Sequence, residues 1–361
     1  MKIGLLIPQS KVYATIGKDF VNGIRLLNIE GLELVIEGIG FGNDADLITN
    51  KMDKLAIQDD VSAIVGLVGD YGLSTLYNKA NGLEIPSIFT RLGAFPNIEM
   101  EKNEYAFTLS YGLSEGLSQL GKWFVENDYK KVAISGSFND IGYGLTSALE
   151  SFLYKSGGEF AGHHTAPLKP REDEAAIAED FYKTTDCDII CEYYNGDFAK
   201  ENVEYIETFQ NPIDKPMMFT SVGLTGDQLQ SVSGKAGEVM MYAPWIPEDL
   251  KGEADSFDSL FSEKHDRYPN INHWLGYQSG QVLKDLVPKR KELLEGTELL
   301  LGENGICGKD LVVSFPQAIW KAEKKADKSV MIKQSDIDVS KDIQVPFEGQ
   351  VNGWHNAYLC Y

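Results

Sequence analysis

Apolar runs of strand length alternate along this chain with stretches in which apolar residues recur every three or four positions. Ile3–Ile7 (IGLLI) reads as a buried strand, and Lys18–Leu27 carries Phe20, Ile24 and Leu27 on one helical face. Leu34–Ile36 is the next strand. Asp44 stands where an N-cap belongs, ahead of a helix through Gln58 with Leu47, Met52, Leu55 and Ala56 on one side. Ala63–Val68 is a third strand, a helix spans about Ser74 to Asn81, and Pro86–Thr90 is a fourth strand. Short apolar strands separated by helices predict a parallel sheet covered on both faces, with right-handed connections.

The rhythm restarts after Tyr111. A helix near Ser114–Glu126 leads to strand Lys130–Ser135, helix Tyr143–Lys155 and strand Glu159–His164. Helix Glu172–Thr184, strand Cys187–Tyr194, helix Phe198–Phe209, strand Lys215–Ser221 and a short strand Glu238–Tyr242 follow. Two further helices, around Glu253–Arg267 and His273–Leu286, lie outside both series, and Gln344–Tyr361 reads as short strands. The prediction is an α/β protein of two lobes, with 1–112 plus 248–325 in one and 116–242 plus 335–361 in the other. The chain would cross between them near 111–115, 242–248 and 310–345. No Pro/Gly/Ser-rich joint separates the units, as independently tethered domains would require.

Composition narrows the function. The 361 residues carry 33 Lys and Arg against 54 Asp and Glu, a formal net charge of −21. A surface this acidic repels phosphate backbones and anionic headgroups, which argues against nucleic acid and membrane-surface partners. The longest uncharged run, Tyr268–Leu283, contains Asn, His, Gln and Gly and is unsuited to span a bilayer. Four cysteines are too few for a disulfide scaffold. Cys187 and Cys191 are spaced CxxxC, unlike a zinc or thioredoxin motif, and Cys191 in its apolar run reads as a buried thiol. Cys307 and Cys360 would be free to pair in an exported protein. No basic-then-apolar leader precedes the first strand, which leaves two readings: a cytoplasmic protein, or an exported one whose leader has been removed.

Catalytic signatures are thin: HExxH, GxxxxGK[ST] and paired CxxC motifs are missing from the sequence. Gly66–Gly72 and Gly136–Gly144 have the strand–loop–helix setting of a phosphate loop, but Asp70 and Asp140 fall where a phosphate needs amide donors. The five histidines show no metal-ligand spacing, so neither a metal nor a cofactor is expected. Position is more informative than motif. Six strand-end loops carry Gly with a polar or aromatic residue: Pro8–Tyr13, Gly69–Gly72, Thr90–Gly93, Ser137–Tyr143, Tyr193–Asp197 and Ser221–Gly223. Ligands of open α/β sheets bind outside the carboxyl ends of the strands, so six such loops in register predict one cleft between the lobes.

Several segments carry a resemblance in their order and spacing: KIGLLIPQS, YATIGKDFVNGIRL, AIVGLVGDYGLSTLYNKANGLEIPSIF, YAFTLSYGLSEG, KKVAISGSFNDIGYG, DIICEYYNGD, MMFTSVGL and VNGWHNAY. The chain resembles a type I periplasmic binding protein of the branched-chain amino acid (Leu/Ile/Val) receptor class, the solute receptor of an ABC importer. The resemblance implies two Rossmann-like lobes with parallel central sheets joined by a three-stranded hinge, closing on a ligand. It implies a monomer that works outside the cytoplasm with a membrane permease, and that performs no chemistry. The chain departs from the family in its site loops. Where the family offers Ser or Thr hydroxyls to the ligand carboxylate, this chain has Gly69-Asp70-Tyr71-Gly72. The next loop is Thr90-Arg91-Leu92-Gly93, and the stretch matching the amine-anchoring acid is Ser221-Val222-Gly223.

The candidate ligand-binding residues are accordingly Ser10, Tyr13, Asp70, Tyr71, Gly72, Arg91, Leu92, Gly93, Tyr111, Tyr143, Tyr194, Asp197, Ser221 and Trp245. Arg91 either grips a carboxylate bidentately or is a surface cation. Asp70 either accepts from an amine or hydroxyl or caps the following helix. Tyr71, Tyr111, Tyr143, Tyr194 and Trp245 offer apolar walls with polar tips. An Arg within the cleft predicts a carboxylate-bearing ligand, an amino acid or related organic acid. A cytoplasmic ligand sensor on the same fold and a nucleotide-dependent enzyme are the rival readings.

Overall fold

The computed structural model describes residues 1–70, 72–95, 103–142, 144–220, 223–337 and 360. Its first series runs β1 (Lys2–Ile7), α1 (Ile16–Arg25), β2 (Glu33–Gly38), α2 (Ala45–Asp53), β3 (Ala63–Leu67), α3 (Leu73–Leu83), β4 (Ser87–Arg91) and β5 (Ala106–Ser110). The second runs α4 (Leu113–Glu126), β6 (Lys131–Ser137), α5 (Phe138–Ile141), α6 (Leu145–Lys155), β7 (Glu159–Ala166), α7 (Glu174–Thr184), β8 (Ile189–Tyr193), α8 (Gly196–Thr208), β9 (Met217–Thr220), α9 (Gly226–Ser233) and β10 (Val239–Ala243). Then come α10 (Glu248–Lys251), α11 (Ser256–Ser262), α12 (Ile271–Gln281), α13 (Arg290–Leu294), β11 (Leu299–Leu301), β12 (Gly305–Cys307), β13 (Val312–Ser314), β14 (Gln317–Lys325) and β15 (Lys328–Ile337).

The strands form two sheets, ordered β11-β12-β13-β5-β4-β3-β1-β2 and β15-β14-β10-β9-β8-β6-β7. From β13 to β2, and from β10 to β7, every pairing is parallel; β11, β12, β14 and β15 add antiparallel edges. Every residue of β3, β4, β5 and β8 is buried, as strands covered on both faces require. Edge strand β2 is instead exposed or half-buried at every position but Glu37. The helical pair beyond the second series returns to the first sheet. There α12 crosses α1 so closely that a Cβ on Gly23 or Gly276 would run into the backbone carbonyls of His273 or Phe20.

Several elements differ from the sequence expectation, which drew nothing at α9, β11–β13 or β15. Strand β5 was not foreseen, although it pairs with β4 along its whole length from Ser87↔Ala106 to Arg91↔Ser110. Residues 317–325 were expected with the first lobe, yet β14 pairs antiparallel with β10, Met240↔Lys321 through Ala243↔Ala318, and so belongs to the second sheet. The change of sheet falls between β13, which lies beside β5, and β14. Finally, the long helix drawn from 253 begins only at Ser256, where Asp255 and Asp258 close a capping box. The strands expected over Gln344–Tyr361 lie outside the described residues apart from Cys360.

All four cysteines are free thiols. Cys191, Cys307 and Cys360 are buried, and burial pushes Cys307 and Cys360 up to about 12. No helix among the described residues is long and apolar enough to cross a membrane.

Candidate interlobe site

The carboxyl ends of β1, β3 and β4 and of β6 and β8 carry the predicted loops, and their side chains divide into three groups. The first spans the two lobes. Ser10 Oγ accepts the Tyr13 N–H at 2.8 Å, and the Tyr13 carbonyl accepts from Ile16 at 2.9 Å, so a tight turn presents Tyr13 ahead of α1. The phenol is bonded to the Gly196 backbone at the start of α8, in the other lobe. Burial pushes Tyr13 up to about 12, and the negative charges of Asp140 and Asp197 add to the rise. Asp140 is fully buried: Ser137 Oγ donates to it at 2.6 Å and Asn195 Nδ2 donates to its other oxygen. Asn195 was missed from sequence and Asp140 was seen only as an obstacle to phosphate. Ser137 and Asp140 follow the S-x-x-D spacing of a capping box, which is the signal that marks this turn.

The second group is an ion-pair cluster inside the first lobe. Arg91 is 1% exposed, so it is not a surface cation. Its Nη1 pairs with Asp70 and donates to the Phe95 carbonyl at 3.0 Å, and its Nη2 lies 3.7 Å from Glu115. Asp70 therefore balances Arg91. Desolvation holds the Glu115 carboxyl above its ordinary value despite the guanidinium, and Arg91 stays charged because two acids face it. Leu92 and Gly93 serve the backbone: their carbonyls accept the Leu113 and Ser114 N–H groups at 3.2 and 2.8 Å, satisfying the first turn of α4. Gly93 has φ +76, and a Cβ there would strike Ser110 Oγ. Gly72, at φ +75, begins α3. Glu115 and Phe95 carried no sequence signal.

The third group consists of predicted cleft walls that the structure puts elsewhere. The Tyr111 hydroxyl donates to the Trp245 carbonyl at 2.6 Å, and its ring meets Trp274 edge-on at 5.6 Å. Trp245 stacks on Trp274 at 6.0 Å, packs edge-on against Phe257, and donates its indole N–H to Asp255 at 2.9 Å. Both rings thus fill the joint where the chain changes sheet, and Gln317 Nε2 ties the third passage to the Tyr111 carbonyl at 2.9 Å. Tyr194 is 3% exposed, and its hydroxyl lies 2.9 Å from Ser135 Oγ inside the second lobe. It stands at the strand end, directly after β8, and its side chain reaches Ser135 of β6 and His164 of β7 and packs with Ala166 and Ala199. Tyr71, Tyr143 and Ser221 lie outside the described residues.

Behind Tyr194 a buried polar chain runs through the second lobe. Glu192 is wholly buried; Tyr182 and Asn202 donate to its Oε2 at 2.8 and 3.1 Å, while Oε1 has no partner. Burial pushes its carboxyl up to about 8. His164 Nε2 sits 3.1 Å from Glu174, which Arg171 also grips at 2.7 Å; desolvation nonetheless holds His164 below its ordinary value. Among the described residues no group of three His, Cys, Asp or Glu side chains is placed to hold a metal ion.

Comparison with known proteins gives this geometry its context. Residues 1–300 match the periplasmic binding protein family model. No curated protein matches the chain. Solved structures do. An ABC transporter substrate-binding protein from Sphaerobacter thermophilus superposes with a TM-score of 0.72 at 16% identity, covering 94% of this chain and 98% of that one. A solute-binding protein of an ABC transporter from Rhodopseudomonas palustris BisB5, in complex with 3,4-dihydroxybenzoic acid, gives 0.69 at 17% identity, over 95% and 98%. One from R. palustris in complex with 4-hydroxybenzoate gives 0.67 at 14% identity, over 93% and 96%. The family match spans both parallel series and the helices that return to the first sheet. This chain belongs to the periplasmic binding protein family and is built on its type I, two-lobed fold.

Proposed function

We propose that the chain is the solute receptor of an ABC importer, working outside the cytoplasm as a monomer and handing a small organic acid to a membrane permease without chemical change. The observation that carries this reading is the family match over residues 1–300, on two parallel sheets whose strand-end loops meet across Tyr13, Asp140 and Asp197. Binding energy then comes from burying the solute between the lobes, and hinge motion at the three inter-sheet passages supplies access.

For the ligand we propose a carboxylic acid that also bears a hydroxyl or amino donor. The donor half is supported by Asp197, an exposed acid at the start of α8 whose charge acts on Tyr13, because both oxygens of Asp140 are already engaged by Ser137 and Asn195. The carboxylate half leans on the ligands named for the two R. palustris structures, 3,4-dihydroxybenzoic acid and 4-hydroxybenzoate. Arg91 lends it less than the sequence promised, because Asp70 already balances that charge. Ring acids therefore join amino acids as candidates. The decisive experiment is mass spectrometry of small molecules released on denaturing the purified protein, followed by calorimetry with 4-hydroxybenzoate, 3,4-dihydroxybenzoate and leucine. A released compound with no carboxylate would sink the ligand class. Stabilisation by nucleotide with a divalent metal would sink the receptor reading in favour of an enzyme.

A further inference from the structure

At two places among the described residues an aromatic ring from a loop of the first lobe rests on a glycine of the second. Tyr13 lies between β1 and α1; a Cβ built on Gly196, which opens α8, would stand 2.7 Å from its Cε2 and 3.4 Å from Val12 Cγ1. Phe95 follows β4; a Cβ on Gly144, ahead of α6, would stand 2.7 and 2.8 Å from its Cδ1 and Cε1 and 3.1 Å from the Ala94 carbonyl. Such approaches are closer than carbon atoms tolerate, so neither seat admits even one methyl group without displacing a ring. Phe95 has little freedom to give way, being buried beside Ala94. Backbone strain accounts for one of these glycines only. Gly196 has φ +53, whereas Gly144 has φ −71, a value that alanine adopts freely. Local conformation therefore gives no reason for glycine at 144; the ring across the cleft does.

We propose that Gly144 and Gly196 are positioning residues for ligand capture: their bare backbones are the seats on which Phe95 and Tyr13 bring the lobes together, and the missing side chains set the population of the closed form. The link to ligand capture rests on the receptor reading; the contacts themselves do not. The perturbation reaches affinity through that population, because a site completed only on closure binds in proportion to the closed fraction.

The test is small-angle X-ray scattering of the full chain after bound small molecules have been removed, comparing wild type with Gly144→Ala, Tyr13→Ala and Gly82→Ala. Gly82 lies in α3 with open space where a Cβ would go, so it controls for a helix-favouring methyl alone. The expected result is a larger radius of gyration for Gly144→Ala and for Tyr13→Ala, with Gly82→Ala superimposable on wild type. Tyr13→Ala removes a ring rather than adding an atom, so it tests the same device should Gly144→Ala fold poorly. Scattering curves of both variants that coincide with wild type, or an equal shift in Gly82→Ala, overturn the proposal. Scattering needs no ligand, so failure here leaves the receptor reading standing, and failure to find a released acid leaves these seats standing.

Discussion

Glu192→Gln tests the energetics of the second lobe through pH alone. The Glu192 carboxyl titrates near 8 in the folded protein and near 4.5 in the ordinary state, because burial disfavours the anion more than the Tyr182 and Asn202 hydrogen bonds favour it. A folded-state value above the unfolded one means that the unfolded chain sheds its proton first. Stability is therefore full below about pH 4.5, falls as pH rises from there, and levels off above about pH 8. At about 1.4 kcal/mol per pH unit, the loss approaches about 5 kcal/mol at the top of that window, an upper limit set by how far the lobe relaxes around the charge. Glutamine copies the protonated acid in shape and keeps an oxygen where Tyr182 and Asn202 donate, but it does not ionise. Urea unfolding of wild type and variant at pH 5, 6.5 and 8 reads the difference directly. The variant should gain on wild type at each step, by about 1–2 kcal/mol per pH unit. A constant difference across the three pH values would refute the reasoning and mean that Glu192 is ionised or solvated in the native protein.

Other consequences are as direct. Arg91→Ala leaves Asp70 and Glu115 buried without their cation, so it should cost about 3–5 kcal/mol of stability by urea unfolding; an unchanged midpoint with binding weakened about 30-fold or more would return Arg91 to the role of a ligand clamp. Tyr111→Phe removes the 2.6 Å bond to the Trp245 carbonyl at the inter-sheet joint and should cost about 1–3 kcal/mol, a loss below about 0.3 kcal/mol contradicting that bond. The four thiols should react with a disulfide reagent at pH 8 only after denaturation, since Cys191, Cys307 and Cys360 are buried and burial raises Cys187 to about 11; fast release of one or more equivalents from native protein would contradict this.

The alternation of strand and helix was legible along most of the chain because it is local. Strands such as Ala63–Leu67 are apolar at almost every position, and helices such as α2 announce themselves by a cap at Asp44 and an apolar stripe. Family membership followed from the order of those segments. The sequence also ranked the loops correctly as strand ends, since each loop is tied by covalent neighbours to its strand. It did not reveal which way a strand-end side chain points or what meets it. Tyr194 reads as a cleft wall until β8 turns it toward Ser135, and Arg91 reads as a free cation until Asp70, twenty-one positions earlier, arrives from the neighbouring strand end. Asn195 meets Asp140 across fifty-five positions, and Tyr111 meets Trp245 across one hundred and thirty-four. β5 and β14 were lost for the same reason: Ala106–Ser110 becomes a strand by pairing with β4 and β13, and Gln317–Lys325 joins the second sheet by pairing with β10. Periodicity belongs to a segment of chain and can be read there. Charge balance, side-chain direction and strand partnership belong to pairs of segments, and only the closed arrangement of both sheets brings those pairs together.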